Sequence, residues 1–172
     1  MIIVVGLDGP KKMQVAKSLV AEDPTLSIVD ANMYRRSESG VKRSYDQYHE
    51  SLIKVLDENS VFVSTYLDYS DSDMRSQRLV NFLIGNRKPT RLIIVDQDMN
   101  SLVASIVDRS IRRAKGEEQQ GGACEKETSE SRAKLLIKAI QSYDDAVYEI
   151  KSLEKYANHY GISNIEVQIH KL

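Results

Sequence analysis

The sequence predicts an α/β fold: a doubly wound, parallel, five-stranded sheet with helices on both faces. Three observations predict it. Strand-like and helix-like segments alternate along the chain, the first strand is a continuous apolar run of the kind that is buried on both faces, and 172 residues suit one core of ordinary size. Right-handed crossovers between parallel strands place helices on both faces of such a sheet. Residues 1–172 read as a single domain with no internal repeat.

In chain order, Ile2 to Val5 is the first strand, and Lys11 to Ala21 follows as a helix with Met13, Ala16, Leu19 and Val20 on one face. Leu26 to Asp30 is the second strand. A basic segment, NMYRRSESGVKR, precedes a helix whose inner stripe is Tyr45, Tyr48, Leu52 and Leu56. The third strand, SVFVST, ends at Thr65, and a loop rich in Asp and Ser opens a helix containing Leu79, Val80 and Leu83. RLIIVD is the fourth strand. Leu102, Val103, Ile106 and Val107 mark the next helix, which ends in DRSIRRAKG. Residues 116–131 carry almost no apolar side chain and cannot repay the entropy of ordering, so the sequence predicts a mobile loop there, within a lid at about 112–131. A long helix over about 132–159 carries Leu136, Ile140, Tyr143, Val147, Ile150 and Tyr156 at three- and four-residue steps. The last strand runs from Ile165 to Ile169.

Composition excludes more than it suggests. With 24 basic and 25 acidic residues, the net charge of −1 supplies no global attraction to nucleic acid or membrane, so any such surface is a local cluster. One cysteine, Cys124, leaves no internal disulfide and no cysteine-rich zinc site, and a free thiol in a polar stretch suits a reducing compartment. No apolar run approaches the length of a membrane span, and Met1 leads straight into strand-like sequence. The expectation is a cytoplasmic protein with no membrane partner. His49, His159 and His170 are dispersed without metal-ligand spacing, and no metal site is predicted.

The first turn carries the chemistry. Gly6-Leu-Asp-Gly-Pro-Lys-Lys-Met13 has the length and register of G-x-x-x-x-G-K-[ST], in which backbone N–H groups and a helix N-terminus cradle phosphates, the lysine neutralises their oxygens and the hydroxyl holds Mg²⁺. Gly6 and Lys12 fit the pattern. Lys11 stands at the second glycine, Met13 at the hydroxyl, and Pro10 contributes no N–H. Lys12 has two readings, a solvated lysine in a helix's first turn or a phosphate ligand, and its register after Gly6 and Gly9 favours the second. Asp8 reads as a turn residue before a base. Asp68, Asp71 and Asp73 read as helix-capping carboxylates before a cation site.

Together with the segments DANMYRRS, VFVSTYLDYSDSDMR and DRSIRR, the chain resembles the kinase domain of phage polynucleotide kinases and related small P-loop kinases, over about residues 1–148. The resemblance implies strand order 2-3-1-4-5, ATP and Mg²⁺ as cofactors, and a nucleotide or a nucleic-acid 5′ end as partner. It implies a phosphate site at Gly6, Asp8, Gly9, Lys11, Lys12 and Met13, with lid arginines Arg109, Arg112 and Arg113, and an acceptor site at Asn32, Tyr34 and Arg35. Against the family pattern, Asn32 stands where an acceptor-activating Asp belongs, Thr65 where the third strand presents an acidic residue, and Met13 removes the magnesium hydroxyl. Phosphoryl transfer depends on that positioned charge and metal.

The resemblance therefore implies a degenerate kinase-like protein, a pseudoenzyme that binds nucleotide, phosphate or a partner protein and regulates. The alternative is an active nucleotide or polynucleotide 5′-hydroxyl kinase using Lys12, Asp30 as surrogate base and Arg109 in the lid. Arg35, Arg36, Lys42 and Arg43 are either a solvated face or a phosphate-binding one. Tyr143, Tyr148, Tyr156 and Tyr160 lie along the long C-terminal helix, where those not needed for packing offer a homodimer surface. The cytoplasm expected is that of a host if the phage resemblance extends to the source.

Overall fold

The computed structural model describes residues 1–6, 9–35, 37–41, 43–64, 75–87, 89–114, 133–134, 136–137, 140–141 and 143–170. Its elements are β1 (Ile2–Gly6), α1 (Gly9–Glu22), β2 (Ser27–Asp30), a single 3₁₀ turn (Ala31–Tyr34), α2 (Tyr45–Ile53), β3 (Ser60–Val63), α3 (Arg75–Arg87), β4 (Arg91–Gln97), α4 (Met99–Ala114), α5 (Tyr143–His159) and β5 (Ile165–His170). All five strands lie parallel in one sheet, in the order β2-β3-β1-β4-β5. Alternation, sheet and strand order are those expected.

The side chains of β1 explain the layering. Ile3, Val4 and Val5 are all fully buried, which a strand achieves only when both faces of the sheet are covered. The chain steps one way along the sheet from β1 to β2 and the opposite way in every later connection. Right-handed crossovers then put α1 on one face and the later helices on the other. The core divides accordingly. Val15, Ala16 and Leu19 of α1 pack with Val4, Val61, Val63, Ile93 and Val95. Ile3, Val5, Phe62, Leu92 and Ile94 point the other way, against Leu52 of α2, Leu83 of α3, Leu102 of α4 and Leu153 of α5. Each such buried Val or Leu contributes about 1.5–3 kcal/mol relative to exposure.

Local signals set the ends of elements. Ser44 and Gln47 form a reciprocal cap on α2, the Ser44 hydroxyl accepting from the Gln47 N–H at 3.3 Å and the Gln47 Oε1 accepting from the Ser44 N–H at 3.0 Å. Because α2 ends at Ile53, Leu56 is buried just beyond it and not on its inner stripe. Arg91 and Glu166 form an ion pair between the neighbouring strands β4 and β5.

The long C-terminal helix needs correction. Residues 133–134, 136–137 and 140–141 are helical, as is all of α5, and the expected stripe packs in part, with Leu136, Tyr143 and Tyr156 against the larger cluster. Ile140 is exposed, whereas Leu153 and Ala157 are the buried residues of α5, flanked by half-buried Tyr143 and Tyr156. Tyr148 is 74% exposed. The side chain of Ile150 lies outside the described part, as do Thr65, Asp68, Asp71, Asp73, Cys124 and residues 115–132 of the expected lid.

Gly6 ends β1 opposite Val95 of β4, where the two backbones approach closely. A Cβ at Gly6 would lie 2.5 Å from the Val95 carbonyl oxygen and 2.9 Å from the Val95 Cβ. Both obstacles belong to the neighbouring strand, so neither can turn aside. Gly6→Ala is expected to destabilise the protein by about 1–3 kcal/mol in chemical denaturation, because overpacking forces the strands apart; an unchanged midpoint would show that β4 yields freely.

Candidate functional site

Parallel strands all end at one edge, and here that edge carries Gly6, Asp30, Ser64 and Asp96. The helix after β1 goes to one face and the helix after its neighbour β3 to the other, which makes the β1/β3 boundary a topological switch point. Crevices at such points are where open α/β sheets bind ligands.

Lys12 occupies this boundary. It is 3% exposed, and its Nζ donates to the main-chain carbonyl oxygen of Ser64, at the end of β3. A solvated lysine in a helix's first turn is therefore not what the fold contains. Lysine is almost never buried without strong partners, and this one lies in the first turns of α1, at the positive end of the helix dipole. Half-buried Lys11 adds a second cation, and no acidic residue stands in the first turn of α1 to offset them. An anion at this end would meet two lysines and the helix N-terminus together.

Ser64 is itself fully buried, and the sequence reading passed over it because the third strand was carried on to Thr65. Its N–H donates to the Val4 carbonyl at 3.0 Å, extending the ladder between β1 and β3 by one rung. Its hydroxyl is buried with no hydrogen-bond partner among the described residues. A polar residue ending an apolar strand is the signal that could have found it.

The remaining predicted residues take structural duties or stand apart. Met13 is half-buried and packs against the apolar cluster beneath α1, so it offers no oxygen, and the residue at this register does not fit Mg²⁺. Asp30 caps the 3₁₀ turn, its Oδ1 accepting from the Asn32 N–H at 2.9 Å. The Asn32 side chain is exposed. Tyr34 packs against the larger cluster, and its carbonyl accepts from the Arg43 guanidinium at 2.9 Å, while Arg35 accepts at its carbonyl from the Arg43 N–H at 2.9 Å. These bonds close a basic loop over the end of β2. Arg112 pairs with Asp108 one turn earlier in α4, Nε to Oδ2 at 2.9 Å, in an exposed contact of small energetic value. Asp8 and Arg36 lie outside the described residues, as do the side chains of Arg109 and Arg113, and Gly9 is the first residue of α1. Among the described residues no three His, Cys, Asp or Glu side chains gather as metal ligands, and no helix is long and apolar enough to cross a membrane.

The edge is divided by charge. Among the described residues of the neighbouring strand end, Asp96 lies in the last two residues of β4, Asp98 follows just beyond it, and Tyr143 of α5 sits beside them. Its hydroxyl is pushed above the usual tyrosine range by burial, then by the carboxylates of Asp96, Asp98 and Asp144. Among the described residues, the β4 end thus gathers carboxylates and the β1/β3 boundary gathers lysines. Compared with protein-family models and with curated proteins, the chain matches none.

Asp98 caps α4, its carboxylate accepting from the Ser101 hydroxyl at 2.7 Å and the Ser101 N–H at 3.0 Å. The hydroxyl first, then the N–H, holds its pKa below the ordinary aspartate value. A depressed carboxylate stabilises the fold above its unfolded pKa and loses that stabilisation as pH falls through the folded one. Asp98→Ala is expected to lower Tm at neutral pH, with the difference from wild type shrinking below about pH 4; a difference independent of pH would refute the capping assignment.

Proposed function

We propose that the β1/β3 boundary binds the phosphate of a nucleotide, and that the protein is a degenerate P-loop kinase-like module that binds and regulates without efficient phosphoryl transfer. One observation carries this reading: the buried ammonium of Lys12, held at a switch point of the sheet in the first turn of α1. Strand order supports it, being the order that the P-loop kinase resemblance implies.

The case against ordinary catalysis rests on what replaces the transfer apparatus. Met13 packs into the apolar cluster where a hydroxyl would hold magnesium, and an amide, Asn32, stands at the acceptor-activating position. Asp30, the surrogate base of an active kinase, has one carboxylate oxygen engaged in capping a turn. Transfer without a positioned metal and base forfeits most of the electrostatic stabilisation the reaction relies on.

Calorimetric titration with ATP, with and without Mg²⁺, tests the reading on wild type and Lys12→Met. Saturable binding is expected in wild type and at least tenfold weaker binding in the variant, whose unfolding temperature is expected at or above wild type because the buried cation is gone. No binding by wild type would refute the site. Turnover stimulated by a 5′-hydroxyl oligonucleotide or a nucleoside monophosphate, and abolished in Lys12→Met, would refute the degenerate assignment and establish the active kinase.

A further inference from the structure

Every polar atom of the Ser64 main chain has a partner: the N–H bonds Val4 and the carbonyl accepts from Lys12. The hydroxyl is the exception, fully buried without a hydrogen-bond partner among the described residues. An unsatisfied buried hydroxyl is costly, and alanine would remove the cost at almost no change in volume. Covalent geometry keeps this oxygen within about 5 Å of the carbonyl oxygen of the same residue, which is the atom that holds the Lys12 ammonium. The orphan hydroxyl therefore lies within about 8 Å of the buried ammonium, beside the switch point.

We infer that the Ser64 hydroxyl is a direct hydrogen-bond donor to the bound anion, acting beside Lys12. The inference rests on the anion-site reading and specifies its ligand: a tetrahedral oxyanion that offers terminal oxygens to an ammonium and a hydroxyl at once, as the end of a phosphate or pyrophosphate chain does. Met13 supplies no metal ligand, so hydroxyl and ammonium meet the anion without Mg²⁺ between them. Lys12, on a flexible four-carbon stem, is the group that shifts from the Ser64 carbonyl to the anion. Binding then satisfies the one polar atom that the unliganded fold leaves unmatched at this residue.

The test is titration of inorganic pyrophosphate in the presence of EDTA into wild type, Ser64→Ala and Val63→Ala, with thermal unfolding of each unliganded protein. Ser64→Ala is expected to weaken binding about ten- to a hundredfold, the effect of losing a hydrogen bond to a charged group, while its unliganded Tm stays at or above wild type. Val63→Ala, which truncates a buried neighbour with no polar atom, is expected to lower Tm without a comparable loss of affinity. Equal affinity in wild type and Ser64→Ala would overturn the inference and leave the anion site standing. So would a fall in Tm matching that of Val63→Ala, since the hydroxyl would then be structural. Wild-type binding that requires Mg²⁺ would also overturn it, as the hydroxyl would then serve the metal. Absence of pyrophosphate binding by wild type in either condition would overturn the anion site and this inference together.

Discussion

β1 has no solvent-facing side, and the architecture follows from that constraint. Three consecutive residues, Ile3, Val4 and Val5, need apolar cover above and below, which a parallel sheet supplies by sending helices to both faces. Only the connection leaving β1 runs against the direction of the others, so α1 covers one face while the later helices cover the opposite one. The same asymmetry puts the end of β1 at a switch point, the position at which open α/β sheets bind ligands. Gly6 lets β1 run to its end against β4, because the approach to Val95 leaves no room for a side chain. Its presence is accounted for by packing, whether or not a phosphate binds beside it.

The described residues beside the end of β1 include two cations that the fold alone does not call for. Lys11 and Lys12 stand in the first turns of a helix whose dipole already makes that end positive, and Lys12 is out of water. Among the described residues, the carboxylates of this edge are Asp30, which caps a turn at the end of β2, and Asp96 and Asp98, at the end of β4 near Tyr143. Scaffold and chemistry part company here. The sheet and the lysine suit phosphate binding, whereas Met13 and Asn32 lack the groups that transfer needs.

The layered sheet was legible in the sequence because it rests on composition and period. Continuous apolar runs mark strands covered on both sides, and the stripe Met13, Ala16, Leu19 and Val20 marks the inner face of α1. The burial of Lys12 was not legible, since it depends on β3 arriving from fifty-two residues away to present a carbonyl. Ser64 escaped for a related reason. As a small polar residue at a strand end it looks like the start of a loop, and its buried hydroxyl exists only in three dimensions. Toward the C-terminus the expected helical stripe included Ile140, which precedes α5 and is exposed, and passed over Ala157 of α5, which is buried. Asp30 shows the opposite failure, a residue whose catalytic reading came from its position and whose observed bond is a local turn cap.

The most direct measurement is NMR of isotope-labelled lysine side-chain ammonium groups, with the Lys12 signal assigned through Lys12→Met, during titration with pyrophosphate. An anion site at the β1/β3 boundary predicts that the Lys12 ammonium resonance moves saturably as its hydrogen bond passes from the Ser64 carbonyl to the ligand, while distant lysines such as Lys151 and Lys155 on α5 stay in place. A Lys12 signal unchanged at saturating pyrophosphate, or one that moves no more than those of the exposed lysines, would contradict it.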